Sequence, residues 1–279
     1  MINVLLAVLF GIVQGLTEWV PISSTAHMLL LKNFVPFNVT PEFYEVFEVV
    51  IQLGAAIALF IVFFNKIWPF GKTSNPLGPF KFVKKDVFML LLKLAVACIP
   101  VIAYKLVIED LLNLNIDTYL CIGISLIVVG VAFIVLEAFL KDSTPKMKTT
   151  REITFKAAFI IGLFQLIAGV FPGVSRSGAT IIGAMLIGVS RSASVDFSFE
   201  LAIPAMLGAS LWEVLKHGMT FTGSEIIILV VGAITAFAVS FFVIKTILNY
   251  IRTHSFTGFG IYRIVLGIVV LVLFFTNVL

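Results

Sequence analysis

Two stretches of this sequence put reactive side chains among apolar neighbours. One runs from Gln14 to His27, QGLTEWVPISSTAH; the other runs from Pro172 to Thr180, PGVSRSGAT. Gln14 and Glu18 are four residues apart, so on a helix they share a face. An ionisable group at membrane depth is expensive, roughly 2.5–3.5 kcal/mol on insertion scales, which makes Glu18 a functional candidate. The competing reading is an interfacial glutamate beside Trp19 in an aromatic belt. Ser23, Ser24 and Thr25 either cap the helix running through Met28 to Leu31 or present hydroxyls to a substrate. His27, on the first turn of that helix, suits an acid, a base or a nucleophile near neutral pH, or else is a packed histidine. The other two histidines, His217 and His254, read as loop residues.

Arg176 is the sharpest position in the second stretch. Its guanidinium is always charged and presents a rigid fork of donors. Gly173 and Gly178 permit tight backbone geometry around it. Ser175, Ser177 and Thr180 add hydroxyls, and the start of the following helix adds backbone N–H groups. Together they make a phosphate cradle, although no GxxxxGK[ST] loop is present. The plainer alternative is an arginine paired with Glu18 to hold the two stretches together; both readings can be true at once. Asp196, Glu200 and Glu48 read as helix-end or supporting residues. No His/Cys/Asp cluster has zinc spacing, so a participating metal would be a hard ion held partly by substrate phosphate.

The elements that must position these groups follow from composition. Of 279 residues, 60% are hydrophobic and only 12% charged, with mean hydropathy +1.14. Soluble domains run nearer half apolar and a quarter charged, so this composition points to a helical integral membrane protein. Continuous apolar runs argue against a β-barrel, whose strands alternate. Cys98 and Cys121 sit inside apolar runs without a C-x-x-C and read as small buried residues. The net charge of +4 gathers in loops, a topology signal and not a nucleic-acid footprint. The first 21 residues lack a basic leader and a cleavage site, so they read as part of the mature protein.

Six apolar runs are long enough to cross a bilayer: 46–65, 87–107, 118–140, 198–215, 225–248 and 260–277. Residues 1–32 and 155–189 instead form pairs of short apolar pieces, each pair broken by one of the two polar stretches. We expect each pair to be a re-entrant helical hairpin, with the break at depth beside protein or a wet cavity. The breaks also resemble each other. Gly11, Gln14, Pro21 and Ser24 match Gly162, Gln165, Pro172 and Ser175 at an offset of 151, and Phe47-Glu48 match Phe199-Glu200 at 152. The expected architecture is therefore an all-α polytopic membrane protein in a single membrane domain, 1–279. It has six transmembrane helices, two re-entrant hairpins and ten helical segments in all. Since a hairpin adds no net crossing and three spans add an odd number, repeats 1–140 and 153–279 are inverted relative to each other.

Loop charge orients the chain. The 66–86 loop carries five lysines against Asp86, and the 141–152 loop carries Lys141, Lys146, Lys148 and Arg151. Both are expected in the cytoplasm, with Lys245 and Arg252 on the same side. The 108–117 loop, with Glu109, Asp110 and Asp117, fits the outside, as do both termini.

The two motifs resemble the signature regions of the bacterial undecaprenyl-diphosphate phosphatases, the integral-membrane, bacitracin-resistance type, and the resemblance covers essentially the whole chain. The other membrane phosphatase superfamily, with its lysine-arginine motif and PSGH, finds no match here. The resemblance implies removal of the terminal phosphate of undecaprenyl diphosphate. The monophosphate carrier is thereby recycled for peptidoglycan, cell-wall building and cell shape, and bacitracin resistance follows. It implies an inner-membrane enzyme whose site faces outward and which depends on magnesium or calcium, with Glu18 as candidate ligand. The family's [Gln/Glu]-x-x-x-Glu motif falls on Gln14 to Glu18, its serine and histidine on Ser24 and His27, and its essential arginine on Arg176. An amide at Gln14 neither serves as a base nor binds metal as a carboxylate does.

Under that resemblance Arg176 grips the terminal phosphate with Gly173, Ser175, Ser177 and Thr180. Glu18 is base or metal ligand, and Gln14, Ser23 and Thr25 support. Ser24, His27 or water attacks; the sequence does not choose. The expected partners are the polyprenyl diphosphate lipid and the membrane, with no nucleic acid and with a homodimer as candidate assembly. The rival function is a transporter or flippase for an anionic polyprenyl lipid, because inverted repeats with broken helices are also a transporter plan.

Overall fold

The computed structural model describes residues 2–108, 118–217 and 221–279. The acidic positions Glu109, Asp110 and Asp117 lie outside the described residues. Among the described residues ten α-helices account for most of the chain: α1 (Ile2–Thr17), α2 (Ser24–Phe34), α3 (Pro41–Ile67), α4 (Lys85–Ala103), α5 (Thr118–Leu140), α6 (Phe155–Val170), α7 (Arg176–Leu186), α8 (Arg191–His217), α9 (Gly223–Thr253) and α10 (Thr257–Phe275). Six of them, α3, α4, α5, α8, α9 and α10, are long and apolar enough to cross a membrane. Their outward faces carry exposed Phe139, Phe242 and Val265, which suit lipid and not water. The chain is a multi-pass helical membrane protein.

Local signals start these helices where they start. Thr40 caps α3 ahead of Pro41, Thr154 caps α6, and Thr222 with Glu225 makes a reciprocal capping box at α9. Pro100 lies inside α4, and the helix continues into a π-helical turn, Tyr104–Ile108. Pro204 similarly sits inside α8. The lysine-rich 66–86 loop contains an element not foreseen from sequence. A short antiparallel hairpin pairs β1 (Pro76–Leu77) with β2 (Phe80–Lys84), with Leu77 opposite Phe80.

Packing is close because small residues sit at the crossings. α5 packs on α10, α1 and α3 on α9, α6 on α4, and α8 on α3 and α4. A Cβ on Gly11 would stand 2.7 Å from the Gly232 carbonyl oxygen, and one on Gly162 would stand 2.3 Å from that of Ala97. Backbones thus touch where α1 meets α9 and where α6 meets α4, as membrane helix interfaces favour. The central core gathers Leu59, Phe63, Phe133, Phe199, Phe256 and, fully buried, Trp19. Trp19 packs its ring 5.6 Å from that of Phe199, so it is a core residue and not part of an aromatic belt.

Ion pairs collect at one end of the bundle. Asp196 pairs with Arg252 and, at 3.6 Å, with Lys66. Arg151 reaches Asp86 at 2.6 Å, and Arg191 holds Glu137. These contacts join the two lysine-rich loops to the starts of α4 and α8. They also remove Asp196 from the reactive cluster described next. Glu48 is likewise occupied elsewhere, accepting from the Tyr44 hydroxyl at 3.2 Å, and Glu200 is buried within α8 beside Phe199, away from either helix end.

Candidate active site

Two short helices begin beside each other. The chain leaves α1 at Thr17, turns through Pro21, and restarts α2 at Ser24; it leaves α6 at Val170, turns through Gly173, and restarts α7 at Arg176. Each restart is capped by a serine on the left-handed side of φ. Ser23 has φ 74° and accepts from the Ala26 N–H; Ser175 has φ 70° and accepts from the Gly178 N–H. The structurally equivalent serines are therefore Ser23 and Ser175. The offset of 151 suggested by the first helices becomes 152 beyond the breaks, and Ser24 corresponds to Arg176, each the first residue of its helix.

Both first residues reach Glu18. Ser24 Oγ donates to Glu18 Oε2 at 2.6 Å, and Arg176 Nη2 donates to Oε1 at 3.1 Å. Gln14 Nε2 donates to Oε2 at 3.0 Å, one helical turn earlier as its spacing required. The side chains of Glu18 and Arg176 are 11% and 18% exposed, so the pair is largely shielded from solvent without being sealed. Arg176 also faces the Ser198 carbonyl at 3.5 Å and the Met206 sulfur at 3.4 Å. Nucleophile-grade hydroxyl, carboxylate and guanidinium are thus assembled around one group.

The remaining predicted residues fall into three sets. Ser175 and Ser177 lie beside Arg176, with their hydroxyls 3.2 Å apart. Gly173 has φ 89°, and a Cβ there would come 2.7 Å from the Ile122 Cα, so this turn requires glycine. Gly178 has ordinary clearance and an unremarkable φ, so the tight-geometry role belongs to Gly173 alone. Thr180 turns away, hydrogen-bonding Ser198 Oγ at 2.7 Å and the Arg176 carbonyl at 2.9 Å; it buttresses the helix start. Thr25 is exposed. His27 is also directed elsewhere. Its Nδ1 lies 2.7 Å from the Ser23 carbonyl, an acceptor only, so Nδ1 carries the proton and Nε2 accepts from the Tyr262 hydroxyl at 2.7 Å.

One buried charge beside the site escaped the sequence reading. Arg263, on α10, is fully buried; Nη1 donates to the Pro21 carbonyl at 3.3 Å, and Nη2 donates to the Gly173 and Val174 carbonyls at 2.8 and 2.9 Å. A single guanidinium thereby clamps the two turns that place Glu18 and Arg176. The signal was available: an arginine inside the 260–277 run is an intramembrane charge, a functional-site pointer by default. Cys121 is half-buried, with its sulfur 3.7 Å from the Pro172 carbonyl, and Cys98 is buried; both are free thiols.

Comparison with known proteins gives a consistent answer. Residues 7–269 match the family described as bacitracin resistance protein BacA. An undecaprenyl-diphosphatase from Enterococcus faecalis is 48% identical over 272 residues, covering 98% of this chain and 97% of the relative. Undecaprenyl-diphosphatase 1 of Clostridium acetobutylicum is 47% identical over 273 residues, covering 98% of each. The undecaprenyl-diphosphatase of Lachnoclostridium phytofermentans is 49% identical over 272 residues, covering 96% of each. With such coverage and a clustered pair of motif residues at the helix starts, this chain belongs to the BacA family of bacitracin resistance proteins.

Proposed function

We propose that this protein hydrolyses undecaprenyl diphosphate to undecaprenyl phosphate and inorganic phosphate, which recycles the lipid carrier for peptidoglycan synthesis and confers bacitracin resistance. The observation that carries the reading is the Glu18 carboxylate, which holds the Ser24 hydroxyl on one oxygen and the Arg176 guanidinium on the other. The similar proteins of Enterococcus faecalis, Clostridium acetobutylicum and Lachnoclostridium phytofermentans, named undecaprenyl-diphosphatases, point to the same reaction.

Catalysis of phosphoryl transfer is mostly positioning and charge stabilisation. Arg176, with Ser175, Ser177 and the N–H groups opening α7, holds the equatorial oxygens of the terminal phosphate. As the phosphate takes Arg176, Glu18 is released from its ion pair and becomes the base. Ser24 Oγ bonds to the terminal phosphorus, its proton passes to Glu18, and the bond to the bridging oxygen breaks. The electron pair leaves with undecaprenyl phosphate. Glu18 loses that proton to solvent, then takes one from the incoming water and returns it to Ser24 Oγ as the phosphoserine is cleaved. His27 supports this course by fixing the Ser23 carbonyl beside the reacting hydroxyl.

A divalent cation, magnesium or calcium, fits the donors at hand. Glu18, as the alternative to its role as base, and the Ser24 hydroxyl would hold it as hard oxygen ligands, and no group of three or more His, Cys, Asp or Glu suited to a metal gathers among the described residues. A hard ion completed by substrate phosphate and water suits such a sparse set. When bound, it neutralises charge on the diphosphate.

The site is proposed to face the outer side of the bacterial inner membrane, with both termini outside. The joining of the lysine-rich loops at one end of the bundle supports this through the positive-inside rule. Helices α1–α2 and α6–α7 are proposed as re-entrant hairpins of an inverted repeat. The shared φ of Ser23 and Ser175, and the matching crossings of α1 on α9 and α6 on α4, support it.

The test is phosphate release from undecaprenyl diphosphate by the purified protein in detergent, with magnesium or with EDTA, beside Glu18→Gln and Arg176→Ala. Release that requires the cation and both side chains is expected. Folded wild-type protein that binds the lipid and releases no phosphate would sink the phosphatase reading.

A further inference from the structure

The loop between α3 and α4 carries a surface that the reactive cluster does not use. Ile57, Ile61 and Phe64 are exposed on one stripe of α3, the stripe that faces lipid, and Trp68 follows one turn later with its ring 4.9 Å from that of Phe64. The aromatic row continues past the helix end. Trp68 meets Phe70 at 5.4 Å, Phe70 meets Phe82 at 6.1 Å, and Phe82 meets Phe80 at 6.4 Å. All five rings are exposed, Phe80 and Phe82 by 55% and 58%. A contiguous apolar row of this kind marks a contact surface, unlike single rings scattered on a surface.

The main chain holds the row in place. The Gly71 N–H donates to the Phe82 carbonyl at 2.8 Å, and the Lys84 N–H donates to the Pro69 carbonyl at 2.7 Å, so the segment just after α3 pairs with β2. Strand alternation turns Phe80 and Phe82 to one face and Val83 to the other, where Val83 is buried. A fixed hairpin therefore presents the rings. Charge surrounds them. Lys72, Lys81 and Lys85 are exposed, and none finds a carboxylate among the described residues, because Asp86, the one acid between positions 66 and 86, is taken by Arg151. A topology signal needs lysines alone and does not account for exposed rings among them.

We propose that this hairpin is an interfacial anchor. Its aromatic face lies in the headgroup layer of the surrounding bilayer, and Lys72, Lys81 and Lys85 take the headgroups of anionic phospholipids there. Two observations choose lipid as the occupant. The row is continuous with the lipid-facing stripe of α3, so the rings follow the bilayer surface outward from the span. An aromatic face rimmed by unpaired lysines also complements an anionic membrane surface, to which each lysine adds about fivefold in affinity. The inference stands apart from the phosphatase reading, because it concerns how the protein sits in its membrane and not what it hydrolyses.

The test places a fluorescent probe on the hairpin of the full-length protein. With Trp68→Phe and Trp212→Phe only the buried Trp19 remains, and Phe82→Trp adds an emitter on the aromatic face. The protein is put into nanodiscs of equal parts phosphatidylcholine and phosphatidylglycerol, with bromine near the top of the acyl chains of one lipid or the other. Expected is quenching of the added tryptophan that is at least about twofold stronger when phosphatidylglycerol carries the bromine, and loss of that preference in Lys72→Gln/Lys81→Gln/Lys85→Gln. Equal quenching by the two lipids overturns the proposal, and an unquenched probe overturns it in favour of a protein partner. Amide exchange checks the unsubstituted protein. Residues 76–84 should exchange about fivefold or more slowly in phosphatidylglycerol nanodiscs than in phosphatidylcholine ones, and equal rates count against the anchor. If these residues are equally protected in neutral detergent, and the protein there has the mass of a dimer, a second copy covers the face and the proposal falls.

Discussion

Glu18 and Arg176 stand 158 residues apart in the chain and form a 3.1 Å charge-assisted hydrogen bond across the two helix breaks. The pair does two jobs, and they can be separated. As an ion pair shielded from solvent it holds the breaks together; unpairing either partner leaves a poorly solvated charge. In the proposed reaction it supplies the base and the phosphate grip.

Glu18→Gln and Arg176→Ala should therefore each lower both thermal stability and turnover. The fall in kcat at Glu18→Gln should be roughly 10²–10⁴-fold, the span of general-base catalysis. The double variant Glu18→Gln/Arg176→Gln removes both charges at once, so its melting temperature should recover toward wild type while activity stays lost. Scanning fluorimetry in detergent beside phosphate release checks this. A double variant as unstable as the sum of the singles would mean that the ion pair contributes nothing to holding the breaks.

In the proposed reaction Ser24 attacks, and its hydroxyl lies 2.6 Å from the Glu18 carboxylate. Ser24→Ala should lose turnover on the order of 10³-fold or more, as loss of a nucleophile does. Acid quenching of wild type with substrate labelled in the terminal phosphate should trap label on the peptide containing Ser24. A Ser24→Ala variant that turns over normally would hand the attack to water.

The outline of this site was legible because its chemistry is local in sequence. Gln14 and Glu18 meet through simple helix spacing, and Arg176 is conspicuous among apolar neighbours. What pairing would form was open, since the distance between two hairpins is set by tertiary packing, which no local pattern encodes. The serine register was misleading for a related reason. Identities favour Ser24 with Ser175, but backbone conformation and capping pair Ser23 with Ser175, a slip absorbed within the turn. The competing reading of Glu18, with Trp19 in an interfacial belt, fails because the Trp19 ring is buried against Phe199, 180 residues further along the chain. Five of the six long helices were found within five residues of their ends and α8 begins seven residues before its expected start, at Arg191, while the small hairpin in the lysine-rich loop was not found.

The caps themselves are testable. Ser23 and Ser175 each combine a side-chain cap with a backbone conformation that favours glycine. Replacement by alanine removes the cap and keeps the strain, costing about 0.5–2 kcal/mol; replacement by glycine costs only a few tenths. Ser175→Gly should thus melt above Ser175→Ala, and the same order should hold at Ser23. Equal melting temperatures would mean that neither the cap nor the strain at these turns matters to stability.

Arg263 makes the last prediction, and it turns on position and not on contact with the reaction. Its guanidinium is the donor that Pro21, Gly173 and Val174 share, and it touches neither Glu18 nor Ser24 in any hydrogen bond found among the described residues. Arg263→Met keeps much of the volume and removes the donors, at about 1–3 kcal/mol for each carbonyl left without a partner. Arg263→Lys retains charge yet cannot span three carbonyls with one planar fork. Both variants should melt lower, with lysine less affected. Among molecules still folded, kcat should fall while KM changes little, because loosened turns misplace Ser24 against Arg176 after the lipid has bound. A structural residue without a positioning role would lower the melting temperature and leave kcat per folded molecule untouched. Active-site titration of folded protein, paired with steady-state kinetics below the variants' melting range, tells these outcomes apart.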